Sequence, residues 1–453
     1  MFMRQLYDEI LAHASYLIGC QRTGEAIVID PSRDIDQYER LAHANGLRVT
    51  AAVDTHIHAD YLSGLQAFAE KGVHVYASAE GGKDWQYDWL KKTHPHTLLR
   101  DNDEFCVGNL RFQAIHTPGH TPEHLSYLLF DAGNTDPIAL LSGDFVFVGD
   151  LGRPDLLETA AGFVGAREPS AKVLYASVKR LYALQPHVQL WPAHGAGSAC
   201  GKSLGAIPST TVGYEFLHNA ALQHATDEPT FVDFILKGQP ATPLYFARMK
   251  RDNRGGAKTW TYHPVPQQKT PVRGSIILDV RPEAERHERG LLGAIHAPLD
   301  AAFPSVAGSY VPEDARITLI AHPNQVELAT RVLARLGYDT IVGYLEPSAL
   351  PQLHEQQDVT FDAIPANAVV LDVRAEHEYA AGHIPHAMNI PHTRVVLEQS
   401  KLPKDKTMYV HCASGGRAKA AVSALRGHGF NAILVDDSFT KYTGPQSTGV
   451  TKP

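Results

Sequence analysis

Asp54-Thr55-His56-Ile57-His58-Ala59-Asp60-Tyr61-Leu62-Ser63-Gly64 follows the run Val49-Thr50-Ala51-Ala52-Val53, and these residues decide the fold. The run lacks strict alternation, which predicts a strand buried on both faces, so the loop leaves the C-terminal edge of a covered sheet. Binding sites of such sheets gather at that edge. Three later segments repeat the arrangement: Arg111 to Ile115 before His116 and Thr117-Pro118-Gly119-His120, Ile138 to Leu141 before Gly143-Asp144, and Val188 to Trp191 before His194. Any one of these histidines alone is most simply a hydrogen-bonded loop residue. Four such edges together can converge on a metal, and imidazole and carboxylate suit Zn, Fe, Mn or Ni.

The strings Thr55 to Asp60, Thr117-Pro118-Gly119-His120-Thr121, Ser142-Gly143-Asp144 and Pro192-Ala193-His194-Gly195 resemble the metallo-β-lactamase superfamily over about residues 1 to 245. The resemblance implies an α/β protein that begins with an αββα sandwich. The superfamily pattern is H-x-H-x-D-H, and Tyr61 stands where its last histidine is expected. In the two-metal hydrolases of the superfamily that histidine helps to hold the second metal, so its replacement by a phenol implies one metal.

The whole chain has 453 residues, 44% hydrophobic and 20% charged, which predicts two to four soluble globular domains. A net charge of -8 gives no electrostatic reason to expect nucleic acid or an anionic membrane as partner. The acidic opening Met1 to Glu9 and the lack of a long apolar run predict a cytoplasmic protein. Four scattered cysteines, Cys20, Cys106, Cys200 and Cys412, form no disulfide framework. Cys20 and Cys106 are expected to be small buried hydrophobes.

Ala26 to Asp30 is expected to be a strand and Asp34 to Asn45 a helix closed by Gly46, with strand and helix alternating to about residue 200. Between Met249 and Gln268, charged residues, glycines and prolines interrupt all periodicity and mark a linker. Beyond it Ile277-Leu278-Asp279-Val280-Arg281 recurs 93 positions later as Val370-Leu371-Asp372-Val373-Arg374. The expected domains are 1–248, then two copies of a small α/β domain at 269–352 and 358–453. Both copies resemble rhodanese domains, through the L-D-V-R strand and the Gly382-His383-Ile384-Pro385 turn.

In the second copy the apolar strand Met408 to His411 runs into Cys412-Ala413-Ser414-Gly415-Gly416-Arg417 and a helix. A loop at a helix N-terminus aims backbone N–H groups inward and favours a thiolate. Cys412 is expected to carry sulfane sulfur as a persulfide, with Arg417 and the loop amides holding an anionic donor or acceptor. Four residues separate Cys412 from Arg417, whereas tyrosine phosphatases place five there. The first copy has no cysteine and is expected to be a structural spacer or docking domain.

This fusion resembles the persulfide dioxygenases. The resemblance implies one Fe(II) per chain held by His56, His120 and Asp144, with RSSH, O2 and water giving RSH and sulfite. Coupled sulfur transfer through Cys412 would form or use thiosulfate. His58, Asp60, Tyr61, Arg153, His194 and Cys200 are the remaining candidates near the metal or substrate. Tyr61 is expected either to hydrogen-bond to a bound oxygen species or to fill the vacated second-metal space. Arg153 would clamp a substrate carboxylate or pair with Asp150 or Asp155, and Cys200 would relay sulfur or be passive. The expected partners are a small thiol persulfide, O2, sulfite and thiosulfate, with a homodimer as the simplest assembly. The rival readings are a glyoxalase II-like thioester hydrolase and a non-catalytic sulfur carrier or sensor.

Overall fold

The computed structural model describes residues 1–159, 162, 164–286, 289–352 and 358–449. The last four positions of the expected domain 358–453 thus lie outside the described residues. The chain divides into two compact units, Met1–Tyr262 with Ala334–Gly337, and His263–Leu333 with Tyr338–Pro453. Among the described residues no helix is long and apolar enough to cross a membrane.

The first unit holds two six-stranded sheets. One runs in chain order, Phe2–Asp8, His13–Cys20, Glu25–Ile29, Arg48–Val53, His74–Ser78, His96–Leu99. The other runs in reverse order, from Thr210–Thr211 and Gln189–Pro192 through Ala139–Gly143, Leu125–Phe130 and Leu110–His116 to Glu104–Val107. Their inner faces share one core: Tyr16, Ile27, Ile29 and Val53 pack with Phe112, Tyr127, Leu141 and Trp191. The outer faces are covered by helices. Tyr38 of Asp36–Ala44 and Phe68 of Leu65–Glu70 cover the first sheet, and Leu174 and Val178 of Arg167–Tyr182 with Phe231 of Glu228–Leu236 cover the second. This is the αββα sandwich, with helix–sheet–sheet–helix layers.

Four local expectations need correction. Strand and helix do not alternate to residue 200, because Glu104 to Gly143 contains four strands in succession, paired antiparallel. The helix expected from Asp34 begins at Asp36. Cys106 is exposed, since Glu104–Val107 alternates and turns Phe105 and Val107 inward. The linker does not begin at Met249: a helix spans Phe246–Gly255, anchored by buried Phe246, Met249 and Asn253 on one face while its charged residues obscure the periodicity.

Two glycines let the layers close around the loops. Gly119 has φ +139°, and a β-carbon there would lie 2.5 Å from Cβ of Leu174 on the covering helix. Gly143 has φ +54°, with Thr55 Oγ1 and His124 Nε2 each 2.6 Å from where its β-carbon would sit. The two ends of the sandwich are joined by backbone bonds from Ala14 N–H to Ala193 O (2.7 Å) and from Gly195 N–H to Ala12 O (3.2 Å).

The second unit holds two parallel sheets with the same strand order. One is Ile341–Leu345, Ile317–Ile320, Ile276–Asp279, Ile295–His296, extended at its edge by Gln267–Gln268. The other is Ala432–Leu434, Met408–His411, Val369–Asp372, Met388–Asn389. The repeated L-D-V-R acquires its physical meaning here. Arg281 Nη2 reaches Asp279 Oδ2 at 2.6 Å, and Arg374 Nη2 reaches Asp372 Oδ2 at 2.6 Å, both pairs buried. Breaking such a pair from one side leaves an uncompensated charge. Asp372→Ala should therefore destabilise the second copy by about 3–5 kcal/mol in urea unfolding. A change below about 1 kcal/mol would show the pair to be solvated.

Candidate functional site

Four strand ends deliver the site, as the repeated strand-then-ligand pattern requires. The loop after Arg48–Val53 carries His56, His58 and Asp60; that after Leu110–His116 carries His120; Ala139–Gly143 ends at Asp144; and Gln189–Pro192 leads to His194. His116 stays outside the cluster, facing the carbonyl of Pro122 at 2.9 Å.

His56, His120 and His194 are each oriented through Nδ1. His120 Nδ1 donates to the carbonyl of Arg153 and His194 Nδ1 to that of Ala12, both at 3.0 Å. Thr55 Oγ1 accepts from His56 Nδ1 at 3.0 Å and donates to Asp30 Oδ2 at 3.1 Å. These bonds fix one tautomer and leave Nε2 as a lone-pair donor, the usual arrangement around metal-bound imidazole. Asp144 is oriented from its backbone, whose N–H donates to His124 Nε2 at 3.0 Å. Burial, then the nearby His120, hold His124 down to about 3, so it serves as a neutral acceptor.

The free atoms converge. His120 Nε2 lies 3.3 Å and His56 Nε2 3.9 Å from Asp144 Oδ2, while His194 Nε2 lies 3.4 Å from both Asp144 Oδ1 and Asp60 Oδ2. Two ligands bound at about 2.1 Å to one tetrahedral ion lie about 3.4 Å apart, longer than a good hydrogen bond. Both carboxylate oxygens of Asp144, both of Asp60 and Nε2 of His194 are buried without a hydrogen-bond partner. His56, His120 and Asp144 form one set with ligand atoms within 4.8 Å of one another, and Asp60, His194 and Cys200 form another. Burial, reinforced by neighbouring imidazoles, holds His56 well below its usual range. Burial pushes Asp144 up, but His194 and His120 outweigh it and bring the carboxyl below its usual range. His56 and His120, both held below their usual range, beside an ionised carboxylate fit a divalent cation.

The other candidates have different places. His58 turns its Nε2 to Asp30 at 3.1 Å. Burial opposes its charge, yet Asp30 and Asp54 raise it to about 9, and these three buried groups lie with ligand atoms within 4.8 Å of one another. Tyr61 is fully buried against His13 and His58, with ring centroids 4.0 and 4.6 Å apart, and donates to the carbonyl of Asp30 at 3.3 Å. Its hydroxyl is therefore engaged with the backbone.

Of its two expected places, Arg153 takes the pairing with Asp155. It is 1% exposed, forked onto Asp155 at 2.8 and 2.7 Å, and bonded to the Ala199 carbonyl at 3.0 Å and Thr242 Oγ1 at 3.3 Å. Cys200 lies inside the cluster rather than at its mouth, beside Asp60 and His194 and 2% exposed.

Asp30, Thr55, Glu123 and His124 escaped the sequence reading. Asp30 accepts the Thr55 N–H at 2.6 Å, and Glu123 Oε1 accepts the Ile57 N–H at 2.8 Å, so together they hold the histidine loop. The available signal was positional. Asp30 follows Glu25–Ile29 as Asp54 follows Arg48–Val53.

In the second unit, Cys412 to Gly415 link Met408–His411 to the helix Gly416–Gly427. Gly415, at φ +99°, donates its N–H to Cys412 Sγ at 3.1 Å. Arg417 is forked onto Glu378 through Nη1 and Nη2 at 2.6 and 2.8 Å and also interacts with the Cys412 thiol. In the first copy only Ala321 and His322 separate Ile317–Ile320 from the helix Pro323–Arg335. That copy thus lacks the loop as well as the cysteine.

The profile of the Metallo-beta-lactamase superfamily matches residues 9–194, and that of the Rhodanese-like domain matches residues 353–444. The crystal structure of a metallo-beta-lactamase from Staphylococcus aureus subsp. aureus COL is similar over 77% of this chain and 99% of its own, at 41% identity and a TM-score of 0.70. Among curated relatives, the probable polyketide biosynthesis zinc-dependent hydrolase BaeB of Bacillus velezensis is 26% identical over 46% of this chain and 84% of its own length. The mitochondrial persulfide dioxygenase ETHE1 of Bos taurus is 28% identical over 43% of this chain and 68% of its own.

The Asp30–Thr55–His56 chain yields a test. Thr55→Val keeps the shape but removes the acceptor for His56 Nδ1–H, and should weaken metal affinity by about 10–100-fold in a chelator competition. Unchanged affinity would mean that His56 needs no such anchor.

Proposed function

Because the chain belongs to the metallo-beta-lactamase superfamily and carries a rhodanese-like domain behind it, we propose that its first unit oxidises the outer sulfur of a low-molecular-weight thiol persulfide with dioxygen. The net reaction is RSSH with O2 and H2O giving RSH, sulfite and two protons. The observation that carries this reading is the donor set His56 Nε2, His120 Nε2 and Asp144 Oδ2, two imidazoles and one carboxylate, in a chain whose other unit presents a cysteine loop. That set suits Fe(II), one per chain, which when bound would supply the redox chemistry between dioxygen and sulfur.

The chain's own residues orient and protect this set. Thr55, with the backbone carbonyl of Arg153, fixes the ligand imidazoles, and His124 fixes the backbone of Asp144. The His58–Asp30 pair fixes the loop between them, and burial of the whole cluster excludes water from a reactive sulfur. In the second unit Cys412 accepts a sulfane sulfur as its thiolate attacks RSSH, releasing RS⁻, and passes it to sulfite to give thiosulfate; the same steps run in reverse. The Gly415 N–H stabilises sulfur charge at Cys412, and Glu378 holds Arg417 beside the loop.

A thioester hydrolase of the glyoxalase II kind is the second reading, favoured by the unpartnered Asp60 and His194 beside Asp144. Oxygen uptake separates the two. Protein produced with adequate iron should consume O2 on addition of a persulfide and leave a thioester intact. Thioester turnover without oxygen consumption would overturn the dioxygenase reading. Asp144→Ala should lose most of the iron.

Because the two reactions use different units, they should also separate by mutation. Cys412→Ser should lower sulfur transfer on the order of a thousandfold or more while O2-dependent sulfite production persists. His120→Ala should do the reverse. Equal loss of both activities in Cys412→Ser, with iron content intact, would show that Cys412 serves the oxidation itself.

A further inference from the structure

The helix Phe246–Gly255 begins beyond residues 9–194, the span of the superfamily match, yet it reaches back to the loop that carries His56. Asn253 is 6% exposed; its Nδ2 donates to the carbonyls of His58 at 2.8 Å and Tyr61 at 2.7 Å, and its Oδ1 accepts the Ser63 N–H at 2.8 Å. The buried backbone of a loop that has left its sheet must find partners elsewhere. An asparagine amide offers two donor hydrogens and an acceptor oxygen, and here all serve one loop. The helix is fixed in turn by a third segment. Trp89 Nε1 donates to the Asn253 carbonyl at 3.0 Å, the Asp88 N–H to the Arg254 carbonyl at 2.9 Å, and Lys250 Nζ lies 3.3 Å from the Trp85 ring centroid.

We propose that Asn253 is a positioning residue for the metal loop: through it, the affinity and coordination geometry of an ion held by His56, His120 and Asp144 depend on a helix outside the superfamily match. His56 is restrained on both sides. Asp30 takes the Thr55 N–H just before it and Glu123 the Ile57 N–H just after it, while Asn253 fixes the next stretch from His58 to Ser63. Without the amide, three backbone groups lose their partner at once, and a buried stretch must move to satisfy them. The loop then samples conformations in which His56 Nε2 is displaced from its 3.9 Å approach to Asp144 Oδ2. A metal binds only the conformers with all ligands in place, so the fraction of such conformers sets the apparent affinity. The inference rests on metal binding by the first unit and holds whichever reaction that metal serves.

The test titrates the demetallated full chain with Co²⁺, reading affinity by chelator competition and geometry by the visible ligand-field absorption. Asn253→Ala should weaken binding by about tenfold or more and alter the band. Asn253→Asp is the near-isosteric companion; its carboxylate faces two carbonyls and should weaken binding as well. Trp89→Phe is the control, because it removes a bond to the helix without touching the loop: it should lower the unfolding temperature and leave affinity and band as in the parent. The unmodified chain supplies a reading that no misfolded variant can spoil. By reciprocity, a metal that favours the clamped loop tightens the clamp, so Zn²⁺ should slow hydrogen exchange at the Ser63 amide by about tenfold. Folded Asn253 variants with parental affinity and band, an affinity loss in Trp89→Phe equal to that in Asn253→Ala, or Ser63 exchange indifferent to Zn²⁺ would each overturn the proposal. Absence of persulfide-dependent oxygen uptake with these results intact would instead count against the dioxygenase reading alone.

Discussion

Thr55 Oγ1 and the carbonyls of Arg153 and Ala12 each accept an imidazole Nδ1–H, and the geometry of the first unit depends on those three bonds. A neutral histidine has one donor and one acceptor nitrogen, so fixing the donor fixes the direction of the lone pair. Two of the anchors are main-chain atoms held by the sandwich itself. The cluster around Asp144 is therefore rigid before any ion enters, and its electrostatic cost has already been met by folding. Unpartnered carboxylate oxygens at this depth are expensive unless a cation or proton completes them.

How much of this could be read from sequence follows from how local each interaction is. His56, His120 and Asp144 were legible because each follows an apolar run at a strand end. The duplicated L-D-V-R was legible for the same reason, since Asp279–Arg281 and Asp372–Arg374 pair two residues apart. Arg153 was legible only as two alternatives, of which the pairing with Asp155 is found, because its full set of partners includes Ala199 and Thr242, far along the chain. Cys106 was misplaced because a four-residue strand carries too little pattern to say which side faces the core. Asp30 was invisible as an anchor because its partners Thr55 and His58 meet it only once neighbouring parallel strands are paired.

The two copies in the second unit separate scaffold from chemistry. Strand order and the buried aspartate–arginine pair are common to both. What differs is the turn between the third strand and its helix, two residues in one copy and four in the other. A cysteine placed at Ala321 would have no run of loop amides around it. The first copy is thus further from activity than one substitution.

The bonds between residues 12–14 and 193–195 also set an order of events. Most strand pairs in the sandwich join near neighbours in the chain and can form early, but His194 reaches the site only when these distant ends meet. Closing so long a loop is slow and comes after local pairing. During synthesis the Asp60 and His56 side of the pocket is therefore built first and stays incomplete until the last strand docks. A growing chain therefore contains His56, His120 and Asp144 before His194 can join them, and the pocket gains its last histidine only on finished folding.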